Sequence, residues 1–285
     1  MTRLDKRKKL EMIFLWTSRL LTWSTIIILV VLMSHVIMEG ARYLSLNFFD
    51  AWPSRYPHKA GMKAGIWGTF WLMGLTTLIS VPVGIASALF LEEYGVKGKI
   101  GKIIEINVSN LAGVPSIVYG LLGLAVFVRF AGFDRSVLSG ALTLSMLILP
   151  VIIVASRESI KAVPNSIRFG AYALGAHKHQ VIFGHVLPVA LPGILTGVIL
   201  ALSRAIGETA PLIIIGALAY VSFIPESPMD EFSVMPIQIY NWASRPKIEF
   251  HQLAASGIIV LLGIMLSMNF IAVVIRHRSA KRMNL

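Results

Sequence analysis

The chain holds 285 residues, 56% hydrophobic and 14% charged, with a mean hydropathy of +0.75 and a formal net charge of +12. Soluble domains carry about a quarter charged residues, so the solvent for this sequence is mostly lipid, and its cations read as membrane topology; a basic patch interleaved with aromatics, as nucleic-acid binding needs, is missing. Cysteine is absent, which excludes disulfides, cysteine nucleophiles and thiolate metal sites.

The chain opens on a basic stretch, Arg3, Lys6, Arg7, Lys8 and Lys9, before an apolar run. That run is long, lacks a small-residue cleavage site and is followed by further spans, so it reads as a first transmembrane helix rather than a signal peptide. One crossing needs about 20 mostly apolar residues. Six candidates appear: Leu20–Met38, Trp67–Leu91, Val108–Val128, Val137–Ala155, Val189–Val221 and Leu253–Ile275. The fifth exceeds a simple span, and Pro188, Pro192 and Pro211 divide it into an interfacial lead-in, a span and a broken exit. The expected fold is all-α and polytopic: a tail over 1–19, a first span over 20–38, an outer (periplasmic) loop over 39–66, a core over 67–276 with five spans and an inner loop at 156–187, and a tail over 277–285.

Lysine and arginine fix the expected orientation. With the N-terminus inside, the inner segments hold seventeen of them and the outer segments eight, leaving Arg204 within a span. That bias puts both termini in the cytoplasm. Two outer segments are long, Glu39–Ile66 and Ser222–Gln252, and contain Trp52, Pro53, Pro57, Pro225, Pro228, Pro236 and Trp242. Either they lie on the membrane surface and meet an external partner, or they cap the helix bundle.

The inner segment Ser156–Leu187 is expected to carry a short helix. Arg157 to Val163 extends the fourth span past the bilayer, Pro164-Asn165 breaks it, and Asn165 or Ser166 is placed to cap the next helix. Ile167, Ala171 and Leu174 fall on one face, and Gly175 suits a left-handed helix end. His177 to Phe183 then lead into Val186-Leu187-Pro188. Such a piece is a mechanical connector on the cytoplasmic side, or else an amphipathic helix resting on lipid headgroups.

Arg204 and Glu208 are the charged pair well inside a span, in Ser203-Arg204-Ala205-Ile206-Gly207-Glu208-Thr209-Ala210-Pro211. Four residues apart, they are expected to share one helix face. Each charge at the bilayer centre costs roughly 2.5–3.5 kcal/mol on insertion scales. A charge kept there faces a partner, the bundle interior or a wet pathway. An arginine on an aqueous path attracts oxyanions and binds them with its planar fork of donors; a structural ion pair between helices is the alternative. Gly193, Gly197, Ala201 and Ala205, every four residues, let another helix approach closely beside it.

No phosphate loop is present, since Gly101-Lys102 is followed by Ile103 without the upstream glycine, so the chain itself is not expected to hydrolyse ATP. His177, His179 and His185 cluster without nearby carboxylates and read as a polar connector rather than a metal site. Hydrolase motifs of the H-E-x-x-H or G-x-S-x-G kind do not occur.

The run Ala171-Tyr172-Ala173-Leu174-Gly175-Ala176, followed by His185-Val186-Leu187-Pro188, resembles the EAA loop of ABC importer permeases, with Phe169 where that family has Glu and His185 where it has Ile. The segments Arg204–Leu212 and Ala112–Gly120, with Gly68-Thr69, Pro82, Gly84, Glu92, Glu93 and Tyr94, resemble the phosphate-specific transport (Pst) permeases. Gln238-Ile239-Tyr240, Trp242, Met268-Asn269 and Arg276 are more similar to the PstA type than to the PstC type. The resemblance implies a type I, MetI-like permease with no cofactor of its own, paired with a PstC-type permease. It also implies a PstB-type ATPase dimer that binds ATP, and a PstS-type phosphate-binding protein outside. It implies a coupling role for Ala171, Leu174, Gly175 and Ala176, and a substrate-pathway role for Arg204, Glu208 and Thr209. A permease for molybdate, sulfate or phosphonate, or a channel working without an ATPase, would share much of the same membrane physics.

Overall fold

The computed structural model describes residues 3–95, 98–218 and 220–283. Lys97, Ala219 and the side chains of Arg3, Lys6, Lys8, Lys9, Ile275, Arg278, Lys281 and Arg282 lie outside the described residues. In chain order the helices are α1 (Arg3–Gly40), α2 (Leu46–Asp50), α3 (Lys63–Leu89, continued as a π turn over Phe90–Tyr94), α4 (Lys99–Leu111), α5 (Ser116–Gly123, continued as π over Leu124–Phe130) and α6 (Val137–Lys161). They continue with α7 (Asn165–Ala173), α8 (Lys178–Val181, running through the π segment Ile182–Val186), α9 (Leu187–Ile206), α10 (Ala210–Ile215), α11 (Met235–Ala243) and α12 (Ile248–Met283). The fold is all-α.

Among the described residues, five stretches are long and apolar enough to cross a membrane: Leu10–Tyr43, Lys63–Tyr94, Val137–Lys161, Lys178–Ile206 and Ile248–Val274. The third predicted span, Val108–Val128, is not one straight helix. α4 and α5 meet at a bend of 98°. The cause is Pro115, which pushes the preceding residue out of the α region, and the Tyr119 hydroxyl holds the elbow by donating to the Leu111 carbonyl at 2.8 Å. Beyond the bend, the 8 residues of α5 and the 7 of its π continuation reach about 22 Å at 1.5 Å per residue, short of a full hydrocarbon core. The bent pair is therefore either a broken sixth crossing or a re-entrant loop. α4 leaves Ile100, Ile103 and Ile106 exposed, which suits a helix lying in a membrane interface.

The fifth predicted span divides as its prolines require, but not at each of them. Pro188 and Pro192 lie in the first turns of α9 and do not interrupt it, whereas the chain leaves the helix after Ile206 and re-enters at Ala210.

The core is a three-helix sandwich of α3, α6 and α9, with α6 in the middle. Leu144, Ile148 and Ile152 of α6 and Ile194 of α9 are fully buried. Backbones approach closely through small residues: a Cβ on Gly84 would sit 2.5 Å from Ile152, and one on Gly197 2.3 Å from the Ala155 Cβ. The small-residue stripe of α9 is thus spent inside the chain, on α6. The two long loops expected on the outer side fold onto each other as a second core: Phe48 packs on Trp242 with ring centroids 6.0 Å apart, Met62 and Met235 are sealed, and the Met235 N–H donates to Thr69 Oγ1 at 3.0 Å. α1 turns into this cap, where the Ser256 hydroxyl donates to the Gly40 carbonyl at 2.6 Å.

Candidate functional site

Two places on this scaffold carry chemistry: the break after α9 and the end of the bundle that bears α7. At the first, Gly207 closes α9 and Pro211, in the first turn of α10, cannot supply the N–H that would continue it. Arg204 occupies the last turn of α9, where the carbonyl end of the helix dipole favours a cation. Its Nε donates to Glu208 Oε1 at 3.3 Å. The expectation of one shared helix face needs correction: Glu208 lies beyond the helix, its own N–H bonded to the Ala205 carbonyl at 3.2 Å, and the ion pair bridges the break. The Arg204 side chain is 46% exposed and that of Glu208 17%. Thr209 follows in the same break, its hydroxyl 3.4 Å from the Gly207 carbonyl.

The face of α9 that holds Arg204 also exposes Val189 and Leu200, opposite in character to the stripe buried on α6. A guanidinium on this face is open to whatever meets the chain there. In this chain by itself Arg204 is not sealed between helices, while its ion pair with Glu208 joins α9 to the segment that leads into α10.

The two sequence segments that resemble one family meet in space. A Cβ on Gly120 would fall 2.7 Å from the Pro211 Cα, so α5 supports the backbone of the break directly. Sequence reading missed the next layer. Ser203 donates to Asn269 Oδ1, and Arg276 Nη1 donates to Thr196 Oγ1 at 3.2 Å. Both pairs join α9 to α12 and are seven residues apart on each helix, a spacing that was available as a signal.

At the other place, α7 starts after Pro164 as expected, but neither Asn165 nor Ser166 caps it. Asn165 Oδ1 accepts instead from Arg168 Nη1 at 3.3 Å. Arg168 also donates to the Val163 and Ile160 carbonyls at 2.6 and 3.0 Å and reaches Glu93 at the end of α3. Arg157 joins Glu92 at 3.0 Å and Glu105 of α4 at 3.1 Å, and Lys178 sits 4.3 Å over the Tyr94 ring. Five segments, α3, α4, α6, α7 and α8, are thus tied at one end by charge.

The helix ends in a Schellman turn. Gly175 has φ +82°, its N–H bonds the Tyr172 carbonyl at 2.9 Å, and the Ala176 N–H bonds the Ala171 carbonyl at 3.2 Å. Ala171 is buried and Ala176 packs against the core. Leu174 departs from the expected shared face with Ile167 and Ala171: it is the C-cap, 90% exposed, and with Phe169 at 68% and Tyr172 it forms an apolar surface pointing away from the bundle. His177 and His179 stack with centroids 6.0 Å apart, and the His177 N–H is capped by Gln180 at 2.8 Å. Among the described residues, no group of three or more side chains is arranged to hold a metal.

The family described as "Binding-protein-dependent transport system inner membrane component" matches residues 80–284. The chain is similar to the phosphate transport system permease protein PstA 1 of Mycobacterium tuberculosis (strain ATCC 25618 / H37Rv), 31% identical over 229 residues, 79% of this chain and 72% of that one. It is similar to the PstA of Haemophilus influenzae, 31% identical over 238 residues and 82% of each chain. It is also similar to the probable ABC transporter permease protein YqgI of Bacillus subtilis, 30% identical over 234 residues, 81% of this chain and 79% of that one. Among solved structures, a bacterial alginate ABC transporter in complex with its alginate pentasaccharide-bound periplasmic protein superposes with a TM-score of 0.66 at 16% identity, over 95% of each chain. The MetNI methionine ABC transporter in inward facing conformations superposes at 0.59 and 16%, over 75% of this chain and 94% of that one. At these identities the structural likeness speaks for the fold.

Proposed function

The chain belongs to the family of binding-protein-dependent transport system inner membrane components, and from that premise we propose that it is the PstA-type permease subunit of an ABC importer that carries inorganic phosphate into the cytoplasm. The cargo follows from the relatives, several of which are named phosphate transport system permease protein PstA. Its partners on this reading are a PstC-type permease completing the pore, a PstB-type ATPase dimer that binds and hydrolyses ATP, and a PstS-type binding protein. ATP hydrolysis resides in the separate ATPase; this chain performs transport.

The end bearing α7 faces the cytoplasm in this reading, together with both termini, and the cap of α2 and α11 faces the binding protein. Ala171, Gly175 and Ala176 shape and seat the coupling helix. Leu174, with Phe169 and Tyr172, supplies the surface that enters the ATPase. Phe169 stands where the family carries a Glu, so the docking contact here is apolar.

The observation that carries the proposal is the half-exposed Arg204 at the break between α9 and α10. A guanidinium retained in an apolar helix and open at its flank offers an oxyanion a fork of donors. Glu208 keeps it from being an unpaired charge and competes with the anion, so that binding stays weak enough for release. Thr209 adds a hydroxyl at the same break. The test is uptake of labelled phosphate by the reconstituted four-component complex. Arg204→Gln is expected to lower uptake about a hundredfold, since losing a hydrogen-bonded contact to a charged group costs about 2–3 kcal/mol. Uptake at the unaltered rate removes Arg204 from the pathway, and sulfate or molybdate outcompeting phosphate changes the cargo.

A further inference from the structure

Arg204 is not the last cation on its face of α9. Arg276, at the far part of α12, reaches Thr196 Oγ1 at 3.2 Å. Thr196 lies eight residues before Arg204, about 12 Å along the helix toward the α7 end. The sequence Thr196, Leu200, Arg204 follows one face at i, i+4, i+8, and Leu200 between the two polar positions is 65% exposed. Among the described residues, no ion pair neutralises Arg276. Asn269, seven residues before Arg276 on α12, meets Ser203, the residue before Arg204. Its Oδ1 accepts from Ser203, which leaves its amide N–H groups as donors at the same α9–α12 edge.

Resting on the reading of Arg204 as a phosphate contact, we infer that Arg276 is a second oxyanion station, and that phosphate leaving Arg204 passes the Asn269 amide and is received by the Arg276 guanidinium before release. The chemistry is consistent along the line: a guanidinium, an amide and a guanidinium offer donors to a ligand whose oxygens accept. Unlike Arg204, which is held by Glu208, Arg276 is held, among the described residues, only by a neutral hydroxyl. It therefore keeps most of its donors for an anion, and its charge is not already spent. A second cation shortens the step the anion takes across low-dielectric surroundings, where an unpartnered charge is costly.

An arginine near the end of a membrane helix also serves as an interfacial anchor, and the experiment separates the two roles. Labelled-phosphate uptake is measured in liposomes holding the full complex, with ATP enclosed and phosphate-loaded binding protein outside. Arg276→Gln is expected to lower the maximal rate about tenfold and leave the half-saturating concentration of loaded binding protein unchanged. Arg276→Lys, which anchors equally well, recovers part of the rate. Arg276→Gln with Thr196→Arg returns a guanidinium to the same groove from α9 and recovers most of it. An anchor would be restored by lysine and not by a cation moved to α9. An unaltered rate in Arg276→Gln, or a loss that Thr196→Arg does not reverse, overturns the inference. With uptake intact in the native complex and lost in Arg204→Gln, either result sinks the second station alone; no phosphate uptake by the native complex sinks the phosphate reading and this inference with it.

Discussion

Arg168 on α7 donates both Nε and Nη2 to a single oxygen of Glu93, at 3.1 and 2.8 Å, across the gap between the short helix and the end of α3. The side chains are 14% and 10% exposed. The remaining guanidinium donors go to the Ile160 and Val163 carbonyls at the end of α6 and to Asn165 Oδ1. One arginine therefore fastens α7 to the ends of both α3 and α6.

That bond should be felt in stability. Removing one partner of a pair this buried strands the other charge, at a cost of about 3–5 kcal/mol. Glu93→Ala is expected to lower the thermal unfolding midpoint of the purified complex, with Arg168→Lys intermediate because it keeps the charge and loses the fork. A midpoint unmoved by Glu93→Ala would show that the strap carries no load.

The apolar tip of α7 should behave in the opposite way. Phe169 and Leu174 are exposed, so Phe169→Glu and Leu174→Glu are expected to leave the unfolding midpoint of the isolated chain unchanged. Co-purification with the ATPase subunit should fall at least tenfold, as for loss of a buried interface anchor. Retained co-purification would place the contact elsewhere.

Two glycines of the same loop should respond with opposite signs. Gly175 has φ +82°, and alanine there is strained by about 1 kcal/mol. Gly170 lies inside α7 with open space around an added Cβ, so Gly170→Ala is expected to stabilise by about 0.5–1 kcal/mol. Paired thermal melts read the difference. Equal effects would mean that the Schellman turn does not persist in solution.

The elbow of α5 should be intolerant of bulk. Gly120→Ala drives a methyl against the Pro211 backbone, whereas Gly74 has nothing within 4 Å of an added Cβ. Overpacking of this kind costs about 1–3 kcal/mol and displaces the break that holds Arg204. Uptake is expected to fall in Gly120→Ala and to persist in Gly74→Ala, compared at equal amounts of assembled complex.

Sequence alone determined most of the crossings, the place of α7, the left-handed Gly175 and the retention of Arg204 and Glu208 in an apolar stretch. All of these follow from local physics: runs long enough to span lipid, prolines without an N–H, a glycine free to take positive φ, and the cost of a charge in hydrocarbon. Only the tertiary structure decided that α4 bends 98° from α5, that Glu208 lies beyond α9, that Leu174 points away from Ala171, and that Arg168 meets Glu93 and Arg276 meets Thr196. A contact between residues distant in the chain depends on how helices dock. Hydrophobic periodicity says which face of a helix is apolar, but not which helix will cover it or which polar groups are thereby brought within hydrogen-bond reach.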